Sequence, residues 1–158
     1  MHKFIIKLSE LNDELLNDDK IECFIISADM ITPEFKSSKI ILVMGENALE
    51  VCKQNNLDGM VIDMSKEDNI KPKLKAIKNE LDDKVLGVIT RNRRHESMVI
   101  SEEEPDFIIF RAWKDGIEKT QELIEWYDEM FLIQSAVMIE DDGIEYKDFK
   151  SDIVIISR

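Results

Sequence analysis

The chain has 158 residues, enough for one domain over 1–158 with a buried core. Hydrophobic residues at 44% and charged residues at 35% mark a globular composition rather than a disordered one. A formal net charge of -13 argues against general binding to nucleic acid or to an anionic membrane surface.

From the first residue onward, short apolar runs recur. Phe4-Ile5-Ile6 comes first, too short for a signal-peptide core and soon followed by acids. Cys23-Phe24-Ile25-Ile26, Ile40-Ile41-Leu42-Val43 and Met60-Val61-Ile62 follow. The second half adds Val85-Leu86-Gly87-Val88-Ile89, Phe107-Ile108-Ile109-Phe110, Phe131-Leu132-Ile133 and Ile153-Val154-Ile155-Ile156. Each is apolar on consecutive positions and rich in β-branched or aromatic residues, which suits strands buried on both faces of a parallel sheet. None approaches membrane-spanning length. Cys23 and Cys52 make no CxxC and no disulfide framework, so a reduced, cytoplasmic setting is expected.

Helical spacing lies between several runs. Leu74, Ile77 and Leu81 form one stripe; Ile117, Thr120, Ile124 and Tyr127 form another; Ala48, Leu49 and Cys52 form a shorter one. Gly45-Glu46-Asn47 and Asp115-Gly116 read as helix starts. The connections Ile31–Lys39 and Gly143–Lys150 are meagre. Strand and helix in alternation predict an α/β fold with parallel pairing. Eight strands suggest a shortened (β/α)₈ barrel with several helices reduced to turns; the alternative is an open doubly wound sheet.

The wording of the strand approaches favours the barrel. Asn56-Leu57-Asp58-Gly59-Met60-Val61-Ile62, Val85-Leu86-Gly87-Val88 and Glu104-Pro105-Asp106-Phe107-Ile108 follow one another. Gly116 then opens a long helix, and Lys150-Ser151-Asp152-Ile153-Val154-Ile155-Ile156-Ser157 ends the series. From about Lys39 to Arg158 this order resembles the thiamine-phosphate synthase family, which includes the thiazole tautomerases. The resemblance implies a barrel, loss of pyrophosphate assisted by Mg²⁺, and a cradle for a second phosphate.

The positions that carry that chemistry depart from the family's pattern. The second strand, Phe24-Ile25-Ile26-Ser27-Ala28-Asp29-Met30, lacks the expected glutamine, arginine and lysine. The third ends Val43-Met44-Gly45-Glu46 rather than in an asparagine-aspartate pair. After the fourth, Asp63 or Asp68 is left as the candidate metal ligand. Ile89 replaces a serine, Lys114 is a loose counterpart of a lysine, and the seventh strand runs into Glu140-Asp141-Asp142 where paired glycines should bind phosphate. Three successive acids would repel a phosphate there. A divergent relative without the parent transferase activity is therefore expected. An active enzyme with a rebuilt site and Mg²⁺, or an interaction protein that forms a homodimer, stands as an alternative.

One local cluster stands out. Thr90-Arg91-Asn92-Arg93-Arg94-His95-Glu96-Ser97 holds three of the five arginines, and Arg111 and Arg158 also follow apolar runs. Strand ends of a parallel barrel share one face, where functional groups gather. Arg91, Arg93, Arg94, His95, Arg111 and Arg158 are thus candidate anion-binding residues for a small phosphorylated ligand, arginine's planar fork suiting that role. The competing expectation is a salt-bridge network with Asp29, Asp63 and the acids 140–142 on the same rim. His95 is expected as a loop or helix-start residue after Arg91 rather than as a catalyst. Trp113, Trp126 and Tyr127 read as packing residues, and the eight methionines as core filling.

Overall fold

The computed structural model describes residues 2–158 and contains eight parallel strands closed into a barrel in sequence order. They are β1 (Lys3–Lys7), β2 (Cys23–Ser27), β3 (Ile40–Met44), β4 (Gly59–Asp63), β5 (Val85–Ile89), β6 (Phe107–Ala112), β7 (Gln134–Ile139) and β8 (Ile153–Ser157). β1 pairs with β8 from Lys3↔Ile153 to Lys7↔Ser157, so the sheet has no edge and the open doubly wound alternative is excluded. Seven of the eight strands fall on the expected apolar runs. The seventh lies three residues later than Phe131-Leu132-Ile133: Phe131 caps the preceding helix, and Leu132 is fully exposed.

Two apolar layers explain the unbroken runs. Ile5, Ile25, Leu42, Val61, Ile89, Phe107, Ile109, Ala136, Met138, Ile153 and Ile155 fill the barrel interior. The alternate residues, such as Phe24, Ile26, Val43, Val88, Ile108, Phe110 and Val154, point outward into a second core shared with the helices. Gly87 makes room inside. A Cβ there would lie 2.4 Å from the Phe107 ring, so the largest interior side chain occupies the space the glycine leaves.

The outer layer is uneven. α2 (Ala48–Gln54) packs on β3 and β4, α3 (Ile70–Leu81) on β5, α4 (Arg94–Ser101) on β6, and α5 (Ile117–Met130) on β6 and β7. The expected stripes face inward: Leu74, Ile77 and Leu81 are buried in α3, and Thr120, Ile124 and Tyr127 in α5. α1 (Asp13–Leu16) is a single turn, and the segments after β2 and β7 are 3₁₀ turns at Ala28–Met30 and Tyr146–Asp148. The flank β8–β1–β2 is therefore covered by loops, whose Leu15, Leu16, Ile21, Ile144 and Phe149 join the outer core. His2 is tied down there: its Nδ1 is 2.8 Å from the Ser151 carbonyl, and its ring packs edge-on to Tyr146. Among the described residues, no helix is long and apolar enough to cross a membrane.

The aspartates of the strand approaches have a structural role. Asp58 accepts from the Ile41 N–H through Oδ2 at 2.8 Å while its own N–H donates to the Ile41 carbonyl at 3.1 Å. Asp106 repeats this on Leu86, with bonds of 2.7 and 2.9 Å. Each clamps the start of its own strand to a neighbour at the N-terminal end of the barrel. In this fold that end serves stability, and sites lie at the opposite one.

Candidate functional site

At the strand C-terminal end, alternation carries the inward direction to Lys7, Ser27, Met44, Asp63, Arg111 and Ser157, each two residues beyond an interior side chain. Arg111 is the centre of this mouth. Its Nε donates to Glu140 Oε1 at 3.2 Å, and its Nη1 lies 4.0 Å from Asp63 Oδ2. The guanidinium also stacks over Trp113, 4.9 Å from the ring centroid. Trp113 thus carries a cation instead of filling the core. Asp63 further accepts the Ser65 N–H at 2.9 Å. Asp29 takes no arginine; it accepts the Ser27 hydroxyl at 2.6 Å. Of the acids that the salt-bridge expectation named, Glu140 and Asp63 pair with Arg111, whereas Asp29, Asp141 and Asp142 enter no ion pair among the described residues.

The six candidate anion-binding residues do not converge. Arg91 turns out of the mouth, its Nε donating to the Ser65 carbonyl at 2.7 Å. Arg158 is exposed, with Nη1 3.0 Å from its neighbour's carbonyl at Ser157. Arg93 is the N-cap of α4 and the helix begins at Arg94, so Arg93 and Arg94 leave the expected loop, while His95 takes the helix-start place that was one of its two expectations. Asn92 fixes this corner by donating to the Arg111 carbonyl at 2.8 Å. Arg94 then lies over the Trp126 ring, 5.0 Å from its centroid.

This leaves a cationic cleft on one side of α4. It measures about 230 Å³ and is lined by Asn92, Arg93, Arg94, Lys119, Thr120 and Glu122. None of the ion pairs among the described residues includes Arg93, Arg94 or Lys119. The N-cap Arg93 offers no side-chain oxygen to the first turn, so the N–H groups of Arg94, His95 and Glu96 keep their positive partial charge unfilled. Lys119 was not foreseen from the sequence. It reaches the cleft from α5, the helix after the next strand.

The acids after β7 behave differently. Glu140 holds Arg111, and Asp141 accepts the Lys114 N–H at 2.7 Å. Glu140, Asp141 and Asp142 line a cleft of about 280 Å³ with Arg158. Three carboxylates against one exposed guanidinium disfavour a phosphate here.

Asp63 and Asp68, the candidate metal ligands, stand apart. Asp63 is in the mouth network, while Asp68 lines a different cleft beside α3. Among the described residues, no three His, Cys, Asp or Glu side chains gather in a way that could hold a metal ion, so the Mg²⁺ implied by the resemblance finds no ligand set. Cys23 and Cys52 are free thiols; burial pushes Cys23 up to about 12 and raises Cys52 as well, which disfavours the thiolate form of both. No family model matches the chain, and no curated protein does.

Proposed function

We propose that this protein is a divergent barrel of the thiamine-phosphate synthase type, without the parent transferase activity, that binds a small phosphorylated anion beside the barrel mouth. The observation that carries the reading is the division of the arginines. Arg111 is occupied by Glu140 and Asp63, whereas Arg93, Arg94 and Lys119 surround an open cleft without carboxylate partners among the described ion pairs. Three cations and an uncapped helix N-terminus favour an anion through both charge and N–H donors. Loss of the transferase chemistry is supported by the neutralised mouth and the acids where a phosphate would have to sit.

The experiment is a thermal-shift titration with pyrophosphate and with a set of phosphosugars. Stabilisation is expected for the wild type, unchanged in Arg111→Gln and abolished in Arg93→Glu/Lys119→Glu. Absence of any shift, or a shift that survives the charge reversal, would refute the anion site. The enzymatic half is tested separately: the chain should not restore growth to a thiamine-requiring host lacking its synthase.

A further inference from the structure

The other side of α4's first turn borders a larger cleft, of about 460 Å³, between the N-terminal ends of α3 and α4. Its polar groups sort by whether they are already engaged. Glu67 accepts from Lys73 at 3.0 Å and from the Asn69 N–H at 3.1 Å. Lys71 is paired with Glu102. Besides the Asn69 amide and His95, which also line the cleft, three charged groups remain. Asp68 is at the rim. Arg91 has its Nε on the Ser65 carbonyl, and its two Nη groups enter no hydrogen bond or ion pair among the described residues.

The third group is Glu96, which is 9% exposed, and whose Oε2 is buried with no hydrogen-bond partner. A buried carboxyl without a donor costs about 1–3 kcal/mol or more, and native proteins rarely keep one idle. Here it lines the same cleft as Arg91 but is not bonded to it. An acceptor seeking donors and a fork seeking an acid thus stand in one recess. Ile70, Pro72 and Val99 supply apolar wall to the same cleft.

We propose that this cleft binds a small zwitterion, an α-amino acid with an aliphatic side chain. Its ammonium group donates to Glu96, with Asp68 adding negative charge at the rim. Its carboxylate accepts from the free Nη groups of Arg91, near the unfilled N–H groups of α4. The aliphatic body lies along Ile70, Pro72 and Val99. The ligand supplies to Glu96 and Arg91 what neither gives the other. The side chains of this site are distinct from those of the anion cleft across α4, since it uses none of Arg93, Arg94 or Lys119; only the first-turn N–H groups of α4 border both.

The test is isothermal titration of the intact chain with valine, leucine and isoleucine, each at up to about 10 mM. Binding of at least one is expected. Taking leucine as the case, N-acetyl-leucine lacks the ammonium and 3-methylbutylamine lacks the carboxylate; each should bind more than about tenfold more weakly. Glu96→Gln should weaken the amino acid by a similar factor, while Arg93→Glu/Lys119→Glu should leave it unchanged. No heat with any of the three amino acids overturns the proposal. So does retention of affinity by the acetylated ligand, a comparison that needs no variant and stands even if Glu96→Gln fails to fold.

Discussion

At the scale of single residues, burial decides which groups titrate. Cys23 sits at the inward-facing start of β2, where burial first, and the Asp58 carboxylate second, raise its thiol from 9.0 to about 12. Tyr127 is raised in the same direction, mainly by burial, although its bond to Ser101 offsets part of that. The bond's polarity follows from counting protons. Ser101 Oγ donates its one proton to the Ser97 carbonyl at 2.7 Å, so Tyr127 must be the donor to Ser101, also at 2.7 Å. Both raised groups hold their protons longer folded than unfolded. Their contribution to stability is complete below the unfolded values and is lost as pH rises toward the folded ones. The urea midpoint should therefore fall between about pH 9 and 11, with each group limited to a slope of about 1.4 kcal/mol per pH unit. Cys23→Ala should flatten that slope relative to wild type. An identical slope in the variant would mean that the thiol titrates alike in both states and that burial does not raise it. Tyr127→Phe, which leaves Ser101 with an unfilled acceptor, should cost about 1 kcal/mol at neutral pH.

Elements show why the strand approaches read so clearly from the sequence and the site did not. Asp58 and Asp106 are clamps at the N-terminal end of the barrel, each closing a two-bond ring with a neighbouring strand. Such residues are local and need a fixed place before a strand, so their order is legible without a structure. They also carry no chemistry, which is why a resemblance built on them says more about scaffold than about activity. Asp106→Ala should destabilise by about 1–2 kcal/mol through loss of the Leu86 bond, read as a shift in urea midpoint. Gly87→Ala should be worse, about 1–3 kcal/mol, because its methyl group would have to displace the Phe107 ring. Combining Gly87→Ala with Phe107→Leu should recover part of the loss; no recovery would argue against the packing account. The site was legible only by face. Strand spacing placed the arginines at one end, but the direction of each side chain depends on where β5 stops and α4 begins. The arginine-rich start of α4 carries no apolar signal until Met98, Val99 and Ile100, so its first residues read as a loop. Lys119 and Glu96 become relevant only once α3, α4 and α5 stand side by side. The apolar run Phe131–Ile133 misled for a related reason: hydrophobicity marks burial on average, and Leu132 is a fully exposed exception.

For the whole molecule, closure and cover act together. A closed parallel sheet has no edge, so stability differs around the barrel through the seams between strands and the layer outside them. The β4–β5 seam is registered over five residue pairs, from Gly59↔Val85 to Asp63↔Ile89, and lies under α2 and α3. The β1–β2 seam is registered over two, Ile6↔Phe24 and Lys7↔Ile25, and lies on the flank where α1 is one turn and the segment after β2 is a 3₁₀ turn. Opening β1 from β2 exposes little helix-covered surface and breaks few ladder bonds. Opening β4 from β5 disrupts the outer core that includes Leu74, Ile77 and Leu81. Local opening should therefore begin at β1–β2 while β4 to β6 exchange only by global unfolding. Native-state hydrogen exchange with low urea concentrations checks this. The Leu8 amide, which donates across that seam to the Ile25 carbonyl at 3.0 Å, should show a lower opening free energy than the amides of Met60 to Ile62. Its exchange should also depend less on urea, since a local opening exposes less surface. The candidate clefts beside α4 lie on the covered side of the barrel. A seam that opens at β1–β2 would leave the anion cleft and Glu96 in place, and ligand binding there should not protect Leu8. If a bound anion slowed exchange at Leu8 as much as in α4, the barrel would be opening as one unit and the weak-seam account would fail.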